Sequence, residues 1–201
     1  TTVQVLEPDT ITVNKDKINI TDKYEGYVFK STEPETIPDT VVNGSIIKVN
    51  YGIRNDLTYT INYYEQGTNI KLLDSDVIEN LTFGEVVTET AIDIEGYNKE
   101  NETETITIGI TGNEINFYYT KRNDLSYTVR YLEQGTNQEL SREKVVENQI
   151  FGETVTENAV DIEGYNKVND TETIVVKVSG NEINFYYIKR NDLSYRVEYY
   201  Y

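Results

Sequence analysis

The phrase Arg-Asn-Asp-Leu followed by Ser or Thr and then Tyr opens at residues 54, 122 and 190. Residues 54–121 align to 122–189 without a gap, and a direct count finds 44 of 68 positions identical. An internal period of this length comes before any local pattern, because it sets the size of the folding unit. Each unit must close its own small core or share one with its neighbours. The two copies differ conservatively where burial is expected: Ile61, Ile92 and Ile108 become Val129, Val160 and Val176. They differ sharply where exposure is expected: Asp74 becomes Arg142 and Asp76 becomes Lys144. A core kept in volume beneath a free surface is the signature of one fold written twice.

Residues 1–53 are a divergent relative of the same unit. "YEGYVFK" at 24–30 lines up with "IEGYNKE" at 94–100, and "NGSIIKVNYGIRNDL" at 43–57 with "GNEINFYYTKRNDL" at 112–125. This block lacks the first strand of a full repeat, and residues 190–201 supply a first strand without a body. The expected division is therefore 1–53 as a partial repeat, 54–121 and 122–189 as full repeats, and 190–201 as the opening of a further one. The chain contains no Met. With the two partial ends, this predicts a segment of a longer array.

Within a repeat, "TYTINYYE" (58–65) sets Tyr59, Ile61 and Tyr63 against Thr60, Asn62 and Tyr64, the period of a strand. "EQGTN" supplies a turn, and "IKLLDSDVIEN" reads as the returning strand. Phe83, Val87, Ala91 and Ile94 fall at helical spacing, with Gly96 as a C-terminal stop. Ile106, Ile108 and Ile110 alternate inward on the next strand, and Ile115, Phe117 and Tyr119 share one face of the last. The order is strand, strand, short helix, strands. Only Arg122, Asn123 and Asp124 separate one repeat from the next, and no flexible or Pro-rich spacer intervenes. End-to-end stacking as a semi-rigid rod is the expectation.

These residues resemble the MucBP (mucin-binding protein) type of repeat found in surface proteins of Gram-positive bacteria. The resemblance is carried by "YTINYYEQGTN" and "YTVRYLEQGTN", by Phe83-Gly84 and Phe151-Gly152, by "IDIEGYNK" and "VDIEGYNK", and by "INFYY" at 115–119 and 183–187. It implies an α+β, β-rich fold of tandem ubiquitin-like β-grasp repeats. It also implies an extracellular setting, attached to the bacterial cell wall, in an adhesin or stalk. Host mucin or other host glycans are the partners it implies.

The chemistry is narrow. Without His or Cys the chain lacks the usual general base, the usual nucleophile and the softer metal ligands. Glu102 and Glu104 recur as Asp170 and Glu172, as an exposed strand start would. An enzyme is not expected, and no catalytic residue, cofactor or metal is assigned. "LDSD" at 73–76 carries an Asp pair, but "SREK" replaces it in the second copy, against a calcium loop. Net charge is −17, from 35 acidic and 18 basic residues. That field disfavours nucleic acid and anionic lipid. No stretch is apolar enough to insert in a membrane.

Tyr is abundant, with 18 against 5 Phe. Tyr64, Tyr118 and Tyr186 stand on the outer faces of their strands beside Asn62, Asn116 and Asn184. Such rings can stack on sugars, and these three are the candidate glycan contacts. Their other role is to cap the core edge or cement a junction. Lys99, Lys167, Lys121 and Lys189 recur near acidic residues, which raises an internal Lys–Asn crosslink at low prior. Sequons at Asn19, Asn43, Asn80, Asn101 and Asn169 are expected by chance in this composition. The leading expectation is a surface adhesin or stalk segment that either projects a binding region or contacts host mucin glycans itself. The alternative is an extracellular fibre subunit, in which 190–201 of one chain joins the N-terminal block of the next.

Overall fold

The computed structural model describes residues 9–18, 20 and 23–201. The sequon at Asn19 and the first eight residues of the N-terminal block lie outside the described residues. The chain separates into two compact units, and the division passes through the first full sequence repeat. The first unit takes Thr1–Tyr64, Lys71–Ala91 and Asn101–Phe117; the second takes Glu65–Ile70, Ile92–Glu100 and Tyr118–Tyr201.

Strands dominate. The N-terminal block holds β1 (Thr10–Thr12), β2 (Tyr27–Glu33), β3 (Thr40–Val42) and β4 (Lys48–Ile53). The first full repeat holds β5 (Leu57–Glu65), β6 (Asp76–Leu81), β7 (Val86–Thr90), β8 (Tyr97–Lys99), β9 (Thr103–Thr107) and β10 (Glu114–Lys121). The second repeats the same order: β11 (Leu125–Glu133), β12 (Glu139–Gln149), β13 (Thr154–Asn158), β14 (Tyr165–Lys167), β15 (Thr171–Val175) and β16 (Glu182–Lys189). Among the described residues the one helical element is a 3-10 turn at Lys15–Lys17. None is long and apolar enough to cross a membrane.

The second unit shows the plan most fully. β11 lies at the centre of a four-stranded sheet ordered β12-β11-β16-β14. It runs antiparallel to β12 and parallel to β16, in register from Thr128↔Glu182 to Glu133↔Tyr187. Tyr127, Val129, Tyr131, Ile183, Phe185 and Tyr187 point to one face and are buried there with Ala159. The two-stranded ladder β13–β15 covers that face, with Val155 and Ile174 packed against the cluster. In the first unit β5 pairs with β6, and Thr60 N–H donates to Asn113 C=O as Thr128 does to Asn181. Tyr59, Ile61, Tyr63, Ile115 and Phe117 form the matching core, all at most 6% exposed. The period-two reading of "TYTINYYE" and "EINFYYT" therefore holds for the core-facing residues, while Asn62 on the opposite face of β5 is buried too, at 6%.

The helix expected from Phe83, Val87, Ala91 and Ile94 is absent, and the fold is β-rich rather than α+β. Phe83-Gly84 is a turn, and Val86–Thr90 is strand β7, paired over five rungs with β9. Its burial alternates with period two, with Val87 and Glu89 half-buried between exposed neighbours. Two successive valines and two threonines resist a helix and suit a pleated strand. The hydroxyls of Thr88 and Thr105 meet across the ladder at 2.8 Å, as Thr156 and Thr173 do in the second copy. A two-stranded ladder stands where the helix was expected. Ile110 also departs from expectation: β9 ends at Thr107, Ile108 is buried at 1%, and Ile110 is 36% exposed. Asn113 shapes this loop by accepting from Gly109 N–H at 2.8 Å and donating to Thr58 C=O at 3.0 Å.

The tyrosine-rich core needs partners for its hydroxyls, because a buried O–H without one is costly. Tyr127 donates to Glu157 at 2.6 Å, and Tyr59 donates to Glu89 at the equivalent place. Tyr119 and Tyr187 donate to the carbonyls of Ile92 and Val160 at 3.0 and 2.9 Å. Burial, with the carboxylate each one meets acting in the same sense, raises the Tyr59 and Tyr127 phenols to about 12. These phenols start from an ordinary value of 10.0, so their neutral form is favoured by folding. Their contribution is complete below pH 10 and is lost as pH climbs through about 12. We predict that the denaturant midpoint holds steady up to about pH 10 and falls steeply from there to about 12. Replacing Tyr59 and Tyr127 by Phe should flatten that fall.

Candidate functional site

The Arg-Asn-Asp segments at 54 and 122 build one structure twice, and the segment at 190 builds its first half. Each of them lies wholly inside one compact unit. In the second unit, Arg122 N–H donates to the carbonyl of Gly96 at 2.9 Å, and the Arg122 carbonyl accepts from Phe151 N–H at 2.8 Å. In the first unit the same two bonds join Arg54 to Gly26 at 2.8 Å and Phe83 to Arg54 at 2.9 Å. One residue of the linker thus bonds to the Gly-Tyr turn before it and to the Phe-Gly turn after it. The side chain closes the device locally. The Arg122 guanidinium forks onto both carboxylate oxygens of Asp124 at 2.9 Å, and Arg54 grips Asp56 at 2.9 and 3.0 Å. Bidentate geometry of this kind holds the linker in one shape more than it adds stability, since the aspartates are exposed and the arginines only half-buried. The hydrogen bonds from Arg122 and Arg54 keep the Asp124 and Asp56 carboxyls below their usual range.

The glycines at these junctions carry a second constraint. Gly26 and Gly96 adopt φ of 75° and 83°, in the left-handed region. A Cβ on Gly96 would stand 2.4 Å from the Phe151 ring, and one on Gly26 would stand 2.1 Å from the Phe83 ring. The aromatic ring of the following repeat lies flat on bare backbone. Tyr97 adds an edge contact to Phe151, with centroids 5.8 Å apart at 67°. Tyr97 is itself held by its hydroxyl, which donates to Glu65 at 3.1 Å.

At the third segment the first half of the device is in place. Arg190 N–H donates to Gly164 C=O at 2.8 Å, and Arg190 forks onto Asp192 at 2.9 and 3.0 Å. Nothing lies within 4 Å of a Cβ built on Gly164.

Beside the Gly96 junction is an open cleft of about 640 Å³, lined by Asp93, Glu95, Tyr97, Arg122, Asp124 and Val178 among others. Two of its carboxylates are answered by nearby cations: Lys99 holds Asp93 at 2.8 Å and Arg122 holds Asp124. The cleft offers no nucleophile. Among the described residues no group of acidic side chains is arranged to hold a metal ion. Lys167 likewise pairs with Asp161 at 2.8 Å, and Lys121 stands 3.7 Å from Glu65, so each of these lysines faces a carboxylate.

The candidate tyrosines take separate places. Tyr118 is 41% exposed and Tyr186 37%, and Tyr64 is half-buried on β5. Tyr186 stands beside Leu132, the residue that replaces Tyr64 in the second copy. The Tyr118 and Tyr186 carbonyls accept from Glu100 and Val168 N–H, each at 2.9 Å, which anchors their backbone while the rings meet solvent. None of the three lines the junction cleft. Sequence reading missed the clip itself. Its signal was present: Phe-Gly follows Arg-x-Asp at the same distance in both full repeats, and Gly-Tyr precedes Arg-x-Asp all three times although the N-terminal block is two residues longer there.

No known family profile matches the sequence, and no curated protein matches it. Solved structures that resemble it include the type 2 repeat of the mucus binding protein MUB from Lactobacillus reuteri. That likeness has 10% identity and a TM-score of 0.26, over 66% of this chain and 99% of the other. A streptococcal ancillary pilin is similar at 9% identity and a TM-score of 0.30, over 84% and 76% of the two chains. Streptococcal high-identity tandem repeat domains 3–4 from a cell surface protein are similar at 14% identity and a TM-score of 0.22, over 65% and 95%. These neighbours are repeat and pilin proteins of Gram-positive bacteria, at low identity and low structural overlap.

The junction predicts a difference between two identical-looking substitutions. Gly164→Ala carries only the backbone penalty of a left-handed position, about 1 kcal/mol. Gly96→Ala carries that penalty and displaces the Phe151 ring, for about 2–3 kcal/mol in all. Denaturant unfolding of the two variants should show the larger loss at Gly96.

Proposed function

We propose that this chain is a tandem-repeat segment of a bacterial cell-surface adhesin or stalk, held at the cell wall, which projects a binding region outward. The observation that carries the reading is the Arg54 and Arg122 clip. A linker whose backbone and side chain are both committed to hydrogen bonds transmits orientation from one repeat to the next. Stacking of the repeats into a semi-rigid rod is part of this proposal. The sequence resemblance to mucin-binding repeats supports the surface setting. A mucus binding protein and a cell surface protein among the similar structures accord with it, but the reading rests on the junctions.

Glycan contact belongs to the same proposal. Exposed Tyr118 and Tyr186 rings, with Tyr64, offer stacking faces for sugars of host mucin. No catalytic role is proposed.

Small-angle scattering tests the rod. An elongated particle with a constant cross-section is expected, and Phe151→Ala should broaden it toward a jointed chain. A compact particle, or a wild-type chain as flexible as the variant, would remove the stalk reading. Adsorption to immobilised mucin tests the glycan part: Tyr118→Ala with Tyr186→Ala should weaken retention, and equal retention leaves a spacer without those contacts.

A further inference from the structure

At one place the two full repeats differ in more than surface charge. In the first, Asn62 on β5 is 6% exposed and its side chain is engaged at both ends. Its Nδ2 donates to Asn116 Oδ1 at 2.9 Å, and its Oδ1 accepts from the Ser75 hydroxyl at 2.5 Å. Lys71 closes that network on Ser75. The second repeat keeps the asparagine of the neighbouring strand, as Asn184. It sets Arg130 in place of Asn62, Glu143 in place of Ser75 and Glu139 in place of Lys71. The new set is left open. Glu143 and Glu182 each stand 3.5 Å from the Arg130 guanidinium. Arg130 Nε and Asn184 Oδ1 are buried without a hydrogen-bond partner among the described residues. An unused donor and an unused acceptor in one place cost stability, and a ligand that supplies both partners recovers it.

The open set lies within the second unit, on the sheet face turned away from the core. Arg130 and Leu132 of β11 stand beside Asn184 and Tyr186 of β16, in register. Tyr186 is 37% exposed, and the Arg130, Glu143 and Glu182 side chains are 41%, 45% and 45% exposed. Two residues along a strand span about 6.6 Å, so the Tyr186 ring lies about one sugar ring's length from the polar set. Leu132 places an apolar side chain beside that ring.

We propose that Arg130, Glu143, Asn184 and Tyr186 form a subsite for an uncharged hexopyranose, and that the first repeat has no equivalent. This subsite rests on the glycan reading of Tyr186, to which it adds the class of sugar and the repeat that selects it. The Tyr186 ring takes the C–H face of the sugar. Each sugar hydroxyl both donates and accepts, so one donates to Asn184 Oδ1 or to a Glu143 oxygen while another accepts from Arg130. Reaching Nε requires the guanidinium to tilt, which exposed contacts of 3.5 Å resist weakly. One guanidinium faces two carboxylates here, in a chain of net charge −17, so an acidic sugar meets repulsion. In the first repeat the equivalent groups are spent on one another.

The two copies supply the control. Arg130→Asn combined with Glu143→Ser rebuilds in the second repeat the side chains of the first, so this double variant should keep wild-type circular dichroism. Methyl glycosides of galactose, glucose and N-acetylglucosamine are the neutral probes, and the methyl glycoside of galacturonic acid is the acidic one. In NMR titrations of the full chain, a neutral probe should shift the Arg130 Nε–H signal and the Leu132 and Tyr186 amides. The side-chain amide signals of Asn62 and Asn116 should stay in place. The double variant should weaken that binding about tenfold, the loss of a hydrogen bond to a charged group. Retention on mucin separates this subsite from the broader reading. If Tyr118→Ala with Tyr186→Ala lowers retention and the double variant binds every probe as wild type does, glycan contact stands and the subsite is overturned. It is also overturned by equal shifts at Asn62 and Asn116, by tighter binding of the galacturonide, or by no shift at Arg130 with any neutral probe.

Discussion

The backbone of one arginine in each linker bonds in both directions, and the repeat sequence is organised around that fact. Arg54 and Arg122 each give their N–H to the Gly-Tyr turn behind and their C=O to the Phe-Gly turn ahead. The aromatic ring that follows must come down onto the turn, and only glycine leaves room for it. Asp at the second position beyond Arg then holds the guanidinium fork. These bonds specify Arg and Asp of the linker, which persist where much of the surrounding surface has changed; nothing in the structure explains the Asn between them.

The second constraint is the central strand. β5 and β11 touch strands on both sides and present Tyr, Ile or Val, and Tyr to the core. A small unit built on two layers has little apolar volume, and tyrosine supplies a large ring with a tether at its tip. The tethers differ between copies. In the first, Tyr63 donates to Asp76 at 2.9 Å. In the second, the residue in place of Asp76 is Lys144, which donates to Glu157 at 2.7 Å while Tyr127 donates to the same carboxylate. Burial works against ionisation of Glu157, but hydrogen bonds from Lys144 and Tyr127 outweigh it and hold the group below the usual carboxylate range. The Asp76-to-Lys144 change therefore removes the carboxylate that Tyr63 uses and adds an ammonium to a carboxylate that the phenol, Tyr59 or Tyr127, meets in both copies.

Strand periodicity and the core were legible because alternation survives in "TYTINYYE" and "EINFYYT". The ladder β7–β9 was not: Phe83, Val87, Ala91 and Ile94 mimic a helical stripe by coincidence of three different roles. Phe83 serves the junction, Val87 faces the core from a strand, and Ala91 N–H returns to Glu102 C=O beyond the strand end. Local spacing cannot separate these roles, whereas β-branched content could have. The polar seam was half legible. Asn62 donates to Asn116 at 2.9 Å and accepts from Ser75 at 2.5 Å, and in the second copy Arg130 faces Glu143 at 3.5 Å in place of Asn62 and Ser75. The paired change from Asn and Ser to Arg and Glu was visible in the alignment, but only the β-pairing shows that the two positions meet.

Hydrogen exchange at individual junction amides tests the central claim most directly. If the linker is a structural joint, the N–H groups of Arg122 and Phe151 exchange as slowly as those in the middle of β11, despite lying outside any regular strand. Exchange of both at the rate of an exposed turn, such as the Gly135 turn, would contradict a fixed joint and leave the repeats as beads on a free hinge.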